Sequence, residues 1–529
     1  PLYRALAMGQ SMDGALLSVH REIAAAPDPG TLSVPALYSV YDQPEVFDSK
    51  KRASAAALCQ ELPALPGMTE GRAECFVDRR QDLQRLVHVL RDGGANTLII
   101  TGPDGVGKSA LAANLARLLA PAGYSILPIY SSPHNRISFV RLLEAAVSHL
   151  SGIGKDAALK DLKDTGRSVR ERLHSLMEVL KATPILMVWD GLDLDGKTGK
   201  ISDTDLANFY LLMLKGMTAG RVIITCRALP ADALTLPARA VQWKLEGLSK
   251  AAFIRYLLRD EGLADRYRKG EISYAQLAEH HLTAAGHPAR MAQTGKALSY
   301  GDLAADEDLL AKLTSRLSSA SGHALSQAAV YGIAMSPAGL AAVCGLAEEQ
   351  FAAIIREWQD LALAHAVGKL WAVPSTLRAP LLAVLSSEEQ RSLQKAAGDF
   401  LRDLAEAGRF AELGLSRLDV LLEARGHFLA AEDLDAATAV TARISGYLQR
   451  RGYCYELIRL NMELLGQDKQ KSGPAAWIAS AYQDQGEYRK AEEWYRRALQ
   501  IAPDAAAHHG LGTALLHQEK YDQAKESLQ

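Results

Sequence analysis

The sequence has few cysteines and no long apolar segment. Its five cysteines are far apart and form no CxxC pair. That spacing argues against a disulfide framework or a zinc site and is typical of reduced thiols in a cytosolic protein. No run approaches the roughly 18 apolar residues that a membrane span requires, and no signal peptide is visible. We therefore expect a cytoplasmic protein without a membrane partner.

The sequence also lacks a strong charge of either sign. Its formal net charge is −2, which argues against a generally basic nucleic-acid-binding protein and leaves a local basic patch open. Charged residues make up 23% and hydrophobic residues 48% of the chain, as in ordinary globular proteins. The length of 529 residues predicts about three or four domains.

The strongest signal lies in residues 97–115, TLIITGPDGVGKSALAANL. A short apolar run predicts a strand, and the Ala/Leu-rich segment after the loop has the spacing of a helix. The loop between them fits the pattern GxxxxGKS/T with Gly102, Gly107, Lys108 and Ser109. Glycines there let backbone N–H groups turn toward phosphate oxygens, and the helix N-terminus adds partial positive charge. The sequence therefore predicts a nucleoside triphosphate site.

Two ligands of this site follow from the loop chemistry. We expect Lys108 to reach the β- and γ-phosphates and the Ser109 hydroxyl to hold Mg²⁺. The nucleotide-binding residues predicted in and beside the loop are Gly102, Asp104, Gly105, Val106, Gly107, Lys108, Ser109 and Ala110.

Two later strands end in charged residues. The run PILMVWDGLD (184–193) predicts a buried strand that ends in Asp190, where a carboxylate can hold Mg²⁺ through water. Asp193 either polarises the attacking water or caps the loop. The run RVIITCR (221–227) ends in Arg227 and resembles the TSR sensor of a class of signalling NTPases, which implies that Arg227 detects the γ-phosphate. The alternative is a surface salt bridge. Lys108, Asp190, Asp193 and Arg227 are thus the candidate catalytic residues.

These motifs resemble those of the STAND class of signalling NTPases, which includes the NACHT and NB-ARC groups. FVDRRQDL, from residue 76, resembles the family's FVGRExEL, and Arg79 matches its nucleotide-contacting arginine, although Asp78 and Arg80 depart from the pattern. PILMVWDGLD resembles hhhhDGxDE, but Leu194 replaces the final acid, which implies slow hydrolysis. GHPARM, from residue 286, resembles GxPLAL, whose proline, here Pro288, packs on adenine.

Residues 323–386 resemble the winged-helix domain that closes the STAND nucleotide site. The third helix of this segment carries Arg356 against four acidic residues, so we do not expect it to bind DNA. The family's nucleotide-sensing histidine would fall near Pro374 or Ser375, and neither is histidine.

The segment 387–529 reads as helical and resembles tetratricopeptide repeats. One copy includes Tyr482, Gly486 and Tyr488, and a second follows 33 residues later. Small residues let paired helices approach, and the concave surface of such an array binds a protein or peptide.

Residues 1–45 resemble the C-terminal end of a CHAT domain, a caspase-like protease module, and residues 46–75 read as a linker. The catalytic His and Cys of such a protease would lie before Pro1. We expect the chain to be a fragment, with further repeats after Gln529.

The resemblance implies a multidomain α/β + α protein. Its parts would be a P-loop NTPase core with a parallel sheet (76–230), a helical lid (231–322), a winged helix (323–386) and an α-solenoid of repeats (387–529). The implied function is a switch that exchanges ADP for ATP, forms a homo-oligomer and activates an N-terminal protease-like effector, in bacterial defence. A STAND-type transcriptional regulator and an origin-recognition-type ATPase are the alternatives.

Overall fold

The structure is a computed structural model that describes residues 79–91, 94–233, 235–301 and 309–528. The CHAT-like segment and the linker predicted from the sequence lie outside the described residues.

A five-stranded parallel sheet forms the NTPase core, in the order β2-β3-β4-β1-β5. Its strands are β1 Thr97–Thr101, β2 Ser125–Tyr130, β3 Ile185–Leu192, β4 Arg221–Cys226 and β5 Ala240–Lys244. Alternate residues serve opposite faces: in β3, Leu186 and Val188 join one hydrophobic cluster, whereas Met187 and Trp189 join another. Both faces of this strand are therefore covered, which explains its unbroken apolar run.

Six helices cover the sheet. They are α1 Arg80–Arg91, α2 Lys108–Leu119, α3 Phe139–Gly152, α4 Asp156–Lys163, α5 Val169–Ala182 and α6 Thr204–Gly216. Polar side chains fix several of their N-termini: Ser138 caps α3, Asp203 caps α6, and Ser168 forms a capping box with Glu171 at α5.

A small helical lid follows the sheet and has a hydrophobic cluster of its own. Its helices are α7 Lys250–Leu257, α8 Glu261–Arg268, α9 Tyr274–Thr283, α10 Pro288–Ser299 and α11 Leu309–Thr314.

The next segment consists of three helices and then two strands. The elements are α12 Ser319–Ala328, α13 Pro337–Cys344, α14 Glu348–Asp360, β6 His365–Val367 and β7 Leu370–Ala372, followed by α15 Ser375–Ala383. The two strands pair in antiparallel orientation. In addition, Met335 forms an isolated antiparallel bridge with Trp371 of β7.

Antiparallel helices complete the described chain. They are α16 Ser387–Glu406, α17 Arg417–Ala430, α18 Leu434–Arg450, α19 Cys454–Gln467, α20 Ser472–Asp484, α21 Tyr488–Ile501, α22 Ala505–Leu516 and α23 Tyr521–Leu528. Small residues allow close packing here, since a Cβ at Gly510 would lie 2.3 Å from Cζ of Tyr495. Among the described residues, no single helix is long and apolar enough to cross a membrane, and α13 with α14 meets that test only as a pair bent by 100°.

Helix α17 packs directly against the loop between β2 and α3. A Cβ at Gly426 would lie 2.3 Å from Cβ of His134. The ring of His134 also lies 4.3 Å from the ring of His427. Only glycine allows this approach of the helix to the NTPase core.

We predict that Gly426→Ala destabilises the protein by about 1–3 kcal/mol, because the new methyl group overlaps His134. Urea unfolding followed by tryptophan fluorescence would measure it. Gly446→Ala is the matched control, since a Cβ there makes an ordinary 3.6 Å contact with Trp477. Alanine at that helical position should stabilise by up to about 1 kcal/mol. Equal responses of the two variants would contradict the packing at Gly426.

Candidate functional site: a phosphate loop at the edge of the sheet

The loop after β1 has the backbone of a phosphate cradle. Gly105 and Gly107 have φ values of 78° and 95°, which favour glycine. At Gly102, with φ 154°, a Cβ would lie 2.5 Å from the carbonyl oxygen of Leu245, so no other residue fits beside β5. Helix α2 begins at Lys108, directly after Gly107, and its N-terminus therefore faces the loop.

Lys108 is held within the loop by backbone oxygens. Its Nζ donates hydrogen bonds of 2.8 Å to the carbonyl oxygens of both Gly102 and Pro103, and lies 3.6 Å from the Asp104 carboxylate. Burial lowers the pKa of Lys108, and the charges of Asp104 and Asp190 oppose that shift. The ammonium group therefore lies within the loop and bonds mainly to neutral carbonyl oxygens.

Asp190 is buried at the carboxyl end of β3, beside the loop. Thr225 on β4 donates a 2.7 Å hydrogen bond to its Oδ1 and accepts another of 2.7 Å from the backbone N–H of Gly191. The pairing of β3 with β4 shifts register between Trp189 and Leu192, so the strand is irregular at this carboxylate. Burial raises the pKa of Asp190, while hydrogen bonding from Thr225 and Ser109 and the charge of Lys108 act in the opposite direction.

The oxygen donors at this edge fit Mg²⁺. The carboxylate of Asp190 is near the Ser109 hydroxyl, and Mg²⁺ in nucleotide sites takes few protein oxygens, the rest of its ligands being water and phosphate. No group of three or more His, Cys, Asp or Glu within the described part of the chain could hold a metal by itself.

Arg227 forms an ion pair across the loop. Its Nη2 lies 2.6 Å from Oδ2 of Asp104, and its Nε donates a 3.2 Å hydrogen bond to Oδ1. The arginine side chain is 81% exposed, so the pair is weak in water. The structure thus brings the predicted γ-phosphate detector to the loop, where a phosphate could replace Asp104 as its partner.

Asp193 is more exposed to solvent than Asp190. Its carboxylate pairs with Nε of Arg136 at 3.1 Å, and both side chains are about half exposed or more. Arg136 belongs to the loop between β2 and α3. In this arrangement Asp193 joins two loops, while Asp190 occupies the buried position.

The two remaining predicted contacts flank the loop. Arg79 donates a hydrogen bond to the carbonyl oxygen of Glu246, just after β5. Pro288 begins α10, and its Cγ lies 3.7 Å from where a Cβ of Gly107 would lie. Gly286 positions this proline, because its carbonyl oxygen accepts a 2.7 Å hydrogen bond from the backbone N–H of Leu248.

Thr225 is a site residue that the sequence analysis missed. It lies within the predicted strand RVIITCR, one position before the cysteine that precedes Arg227. A hydroxyl in an otherwise apolar buried strand was the available signal. The pairing of Asp104 with Arg227 had no signal, because 123 residues separate them.

The comparisons with known proteins agree with this geometry. Residues 76–224 match the family model of the AAA ATPase domain, and residues 475–505 match that of the tetratricopeptide repeat. Among solved structures, the chain is similar to a Signal Transduction ATPase with Numerous Domains (STAND) protein with a tetratricopeptide repeat sensor from Pyrococcus horikoshii. The TM-score is 0.52 at 17% identity, over 88% of this chain and 70% of that one. No curated protein sequence matches significantly.

Together, these findings establish the fold. The chain combines a P-loop parallel-sheet domain of the AAA ATPase type with a C-terminal tetratricopeptide array, in the arrangement of the STAND structure.

We predict that Asp190→Asn raises the thermal stability of the nucleotide-free protein by about 2–4 °C and abolishes Mg²⁺-dependent ATP hydrolysis. The raised pKa means that the folded state binds the proton more tightly than the unfolded state. Stability therefore falls as pH rises from the ordinary value of 3.8 to the folded pKa, and the full penalty is present above it. Asparagine removes the charge and keeps an acceptor for Thr225.

Differential scanning calorimetry and a phosphate-release assay would measure the two effects. Asp195→Asn is the matched control on an exposed loop, where hydrogen bonds from Thr198 lower the pKa. That variant should lose a little stability and keep its hydrolysis. A less stable nucleotide-free Asp190→Asn protein would contradict the account.

Proposed function

We propose that this chain is an ATP-dependent signalling switch of the STAND class. In this proposal the repeats detect a protein or peptide ligand, ADP is exchanged for ATP, and the ATP-bound form assembles into a homo-oligomer. The observation that carries the proposal is a short connection between the nucleotide site and the helical array, which runs through the loop between β2 and α3.

One end of that loop is fixed to the nucleotide site. Tyr130, the last residue of β2, pairs with Asp190 in the sheet, and the backbone N–H of Ser131 donates a 2.9 Å hydrogen bond to the carbonyl oxygen of Asp190. Farther along the loop, Arg136 pairs with Asp193. A movement of β3 at the Mg²⁺ ligand would therefore move this loop.

The other end of the loop is fixed to α17. Arg141 is buried at the start of α3 and lies 2.6 Å from Oδ1 of Asp419. Its Nη1 donates hydrogen bonds of 2.8 to 3.1 Å to the carbonyl oxygens of Tyr130, Asn135 and Arg136. One guanidinium group therefore links the loop and α17 directly.

The pKa values of the carboxylates at this contact depend on burial and on the groups packed beside them. Burial by itself would raise the pKa of Asp419, but Arg141 and the hydrogen bonds from Ser416 lower it below its ordinary value. Burial raises the pKa of Glu423 to about 7, and the Ser132 hydroxyl, which donates a hydrogen bond to it, only partly offsets this effect. Removal of one partner from a fully buried ion pair costs about 3–5 kcal/mol. Because the Asp419 side chain is 20% exposed, we expect a smaller cost here, still large enough to shift a two-state equilibrium.

A second contact strengthens the same interface. Arg172 on α5 donates hydrogen bonds to the carbonyl oxygens of Arg451 (2.8 Å) and Gly452 (3.1 Å), between α18 and α19. Glu144 on α3 accepts hydrogen bonds from the hydroxyls of Tyr447 and Tyr453. A ligand on the array that moves these helices would also change the contacts of the NTPase core.

Hydrolysis in this proposal resets the switch. Lys108 and the helix N-terminus stabilise phosphate charge, Asp190 with Ser109 holds Mg²⁺, and Arg227 exchanges Asp104 for the γ-phosphate. Leu194 stands where the STAND pattern has an acid, which supports slow turnover. The output, activation of an N-terminal protease-like effector in bacterial defence, rests on the resemblance of residues 1–45 to a CHAT domain.

We predict that Asp419→Asn makes oligomerisation with an ATP analogue independent of any ligand on the repeats and raises ATP turnover about tenfold. The variant breaks the charge pair with Arg141 and keeps an acceptor for the cap of α17. Light scattering and phosphate release would measure it. Lys395→Ala, which breaks the exposed pair of Lys395 with Asp433 inside the array, should leave both properties unchanged.

Adding Lys108→Ala to the Asp419→Asn variant distinguishes a nucleotide-driven switch from nonspecific association. The double variant should remain monomeric, since it cannot hold the phosphates. Oligomers of the double variant, or a monomeric Asp419→Asn protein that binds the analogue, would contradict the proposal.

A further inference from the structure

A carboxylate of the chain itself pairs with the cationic side chains of the phosphate loop. Asp104 is the third residue of the loop GPDGVGKS (102–109). Its Oδ1 lies 3.6 Å from Nζ of Lys108, and its Oδ2 lies 2.6 Å from Nη2 of Arg227. These are the two side chains that we expect to contact the γ-phosphate. Asp104 therefore neutralises both of the positive charges that the γ-phosphate of ATP would use.

The contact with Arg227 has the form in which arginine also binds phosphate. Both oxygens of the Asp104 carboxylate take part, because Nε of Arg227 donates a 3.2 Å hydrogen bond to Oδ1 while Nη2 approaches Oδ2. The planar guanidinium group presents the same fork of N–H donors to carboxylates and to phosphates. A carboxylate held in this way can take the place of two phosphate oxygens.

Asp104 also borders the open part of the nucleotide site. The site continues into a cleft of about 1290 Å³, which is lined by residues of α10 in the lid and of α15. Asp104 alone among the described residues of the phosphate loop lines this cleft, and its side chain is 56% exposed. The side chain of Lys108 is only 10% exposed. A nucleotide in the cleft would therefore meet the carboxylate before it reached the lysine.

This arrangement affects ADP and ATP differently. The α- and β-phosphates bind the backbone N–H groups of such a loop and the N-terminus of the helix after it, so ADP leaves the pair of Asp104 with Arg227 in place. The γ-phosphate of ATP has to replace the carboxylate at Arg227, and the two anionic groups then repel each other at short distance. The pair itself adds little stability, because Arg227 is 81% exposed. Its effect is on the choice between the two nucleotides.

We infer that Asp104 is a specificity-determining residue, which holds the γ-phosphate position with a carboxylate and so lowers the affinity of the site for ATP relative to ADP. The inference rests on the proposed function, since it requires nucleotide to bind at the phosphate loop. Asp104 stabilises the resting, ADP-bound form of the switch. Arg227 passes from the carboxylate to the phosphate only when ATP binds.

Isothermal titration calorimetry with ADP and with a non-hydrolysable ATP analogue, both in Mg²⁺, tests the inference. Asp104→Asn keeps the size of the side chain and removes its charge. The dissociation constant of the analogue should fall at least about tenfold, which corresponds to about 1.4 kcal/mol, while that of ADP stays within about twofold.

Glu246→Gln is the matched control. It removes the same charge from a 78% exposed side chain that pairs with Lys244. Glu246 directly follows Leu245, whose carbonyl oxygen lies 2.5 Å from where a Cβ of Gly102 would lie, so this carboxylate is also close in sequence to a residue that packs on the loop. Both dissociation constants should stay within about twofold of the wild-type values.

Arg227→Gln shows whether the gain in affinity runs through the arginine. Added to Asp104→Asn, it should raise the dissociation constant of the analogue at least about tenfold and leave that of ADP within about twofold. An unchanged constant for the analogue would mean that Asp104 does not compete with the phosphate for Arg227, and the inference would be wrong.

The titrations also separate this inference from the proposed function. If Asp104→Asn tightens ADP and the analogue by the same factor, or weakens the analogue, the inference is wrong while nucleotide binding at the phosphate loop stands. If neither the wild type nor Asp104→Asn binds either nucleotide, the proposed function is wrong as well.

Discussion

The ion pair between buried Arg141 and partly exposed Asp419 is the contact on which the proposed coupling depends. It joins the NTPase core to the helical array, and removal of either charge would leave the other without its partner. The same arginine binds three carbonyl oxygens of the loop that follows β2. This loop therefore has two well-defined anchors, one at Asp190 and one at α17, and no independent conformation. Such a connection can transmit the state of either end to the other.

The charged groups of the nucleotide site, in contrast, cost stability in the nucleotide-free protein. Asp190 is buried, its pKa is raised, and its charge is unfavourable without a cation. Lys108 is partly buried with a lowered pKa and bonds mainly to neutral oxygens. A nucleotide with Mg²⁺, as we propose, would satisfy both groups at once. Part of the free energy of nucleotide binding would then be available to break contacts between the NTPase core and the helical array. A switch requires such a difference in ligand affinity between its two states.

The sequence predicted the local elements well and the long-range contacts poorly. The strand, loop and helix at 97–115 are predictable because glycine spacing and apolar runs are local properties, and the observed bounds of β1, β3 and β4 agree with the motifs. The pairs Asp104–Arg227 and Arg141–Asp419 were not predictable, because they depend on how distant segments pack. Asp193 illustrates this limit: its spacing from Asp190 suggests a catalytic position, while in the structure its carboxylate pairs with Arg136.

Hydrogen exchange of the backbone amides, measured with ADP and with a non-hydrolysable ATP analogue, tests the central claim most directly. The account predicts that the analogue, but not ADP, lowers protection in residues 131–137 and 417–430. Helix α20, in the core of the repeats, should be equally protected in both states. If the analogue binds and both segments keep the protection that they have with ADP, the nucleotide site is not coupled to the array and the switch account is wrong.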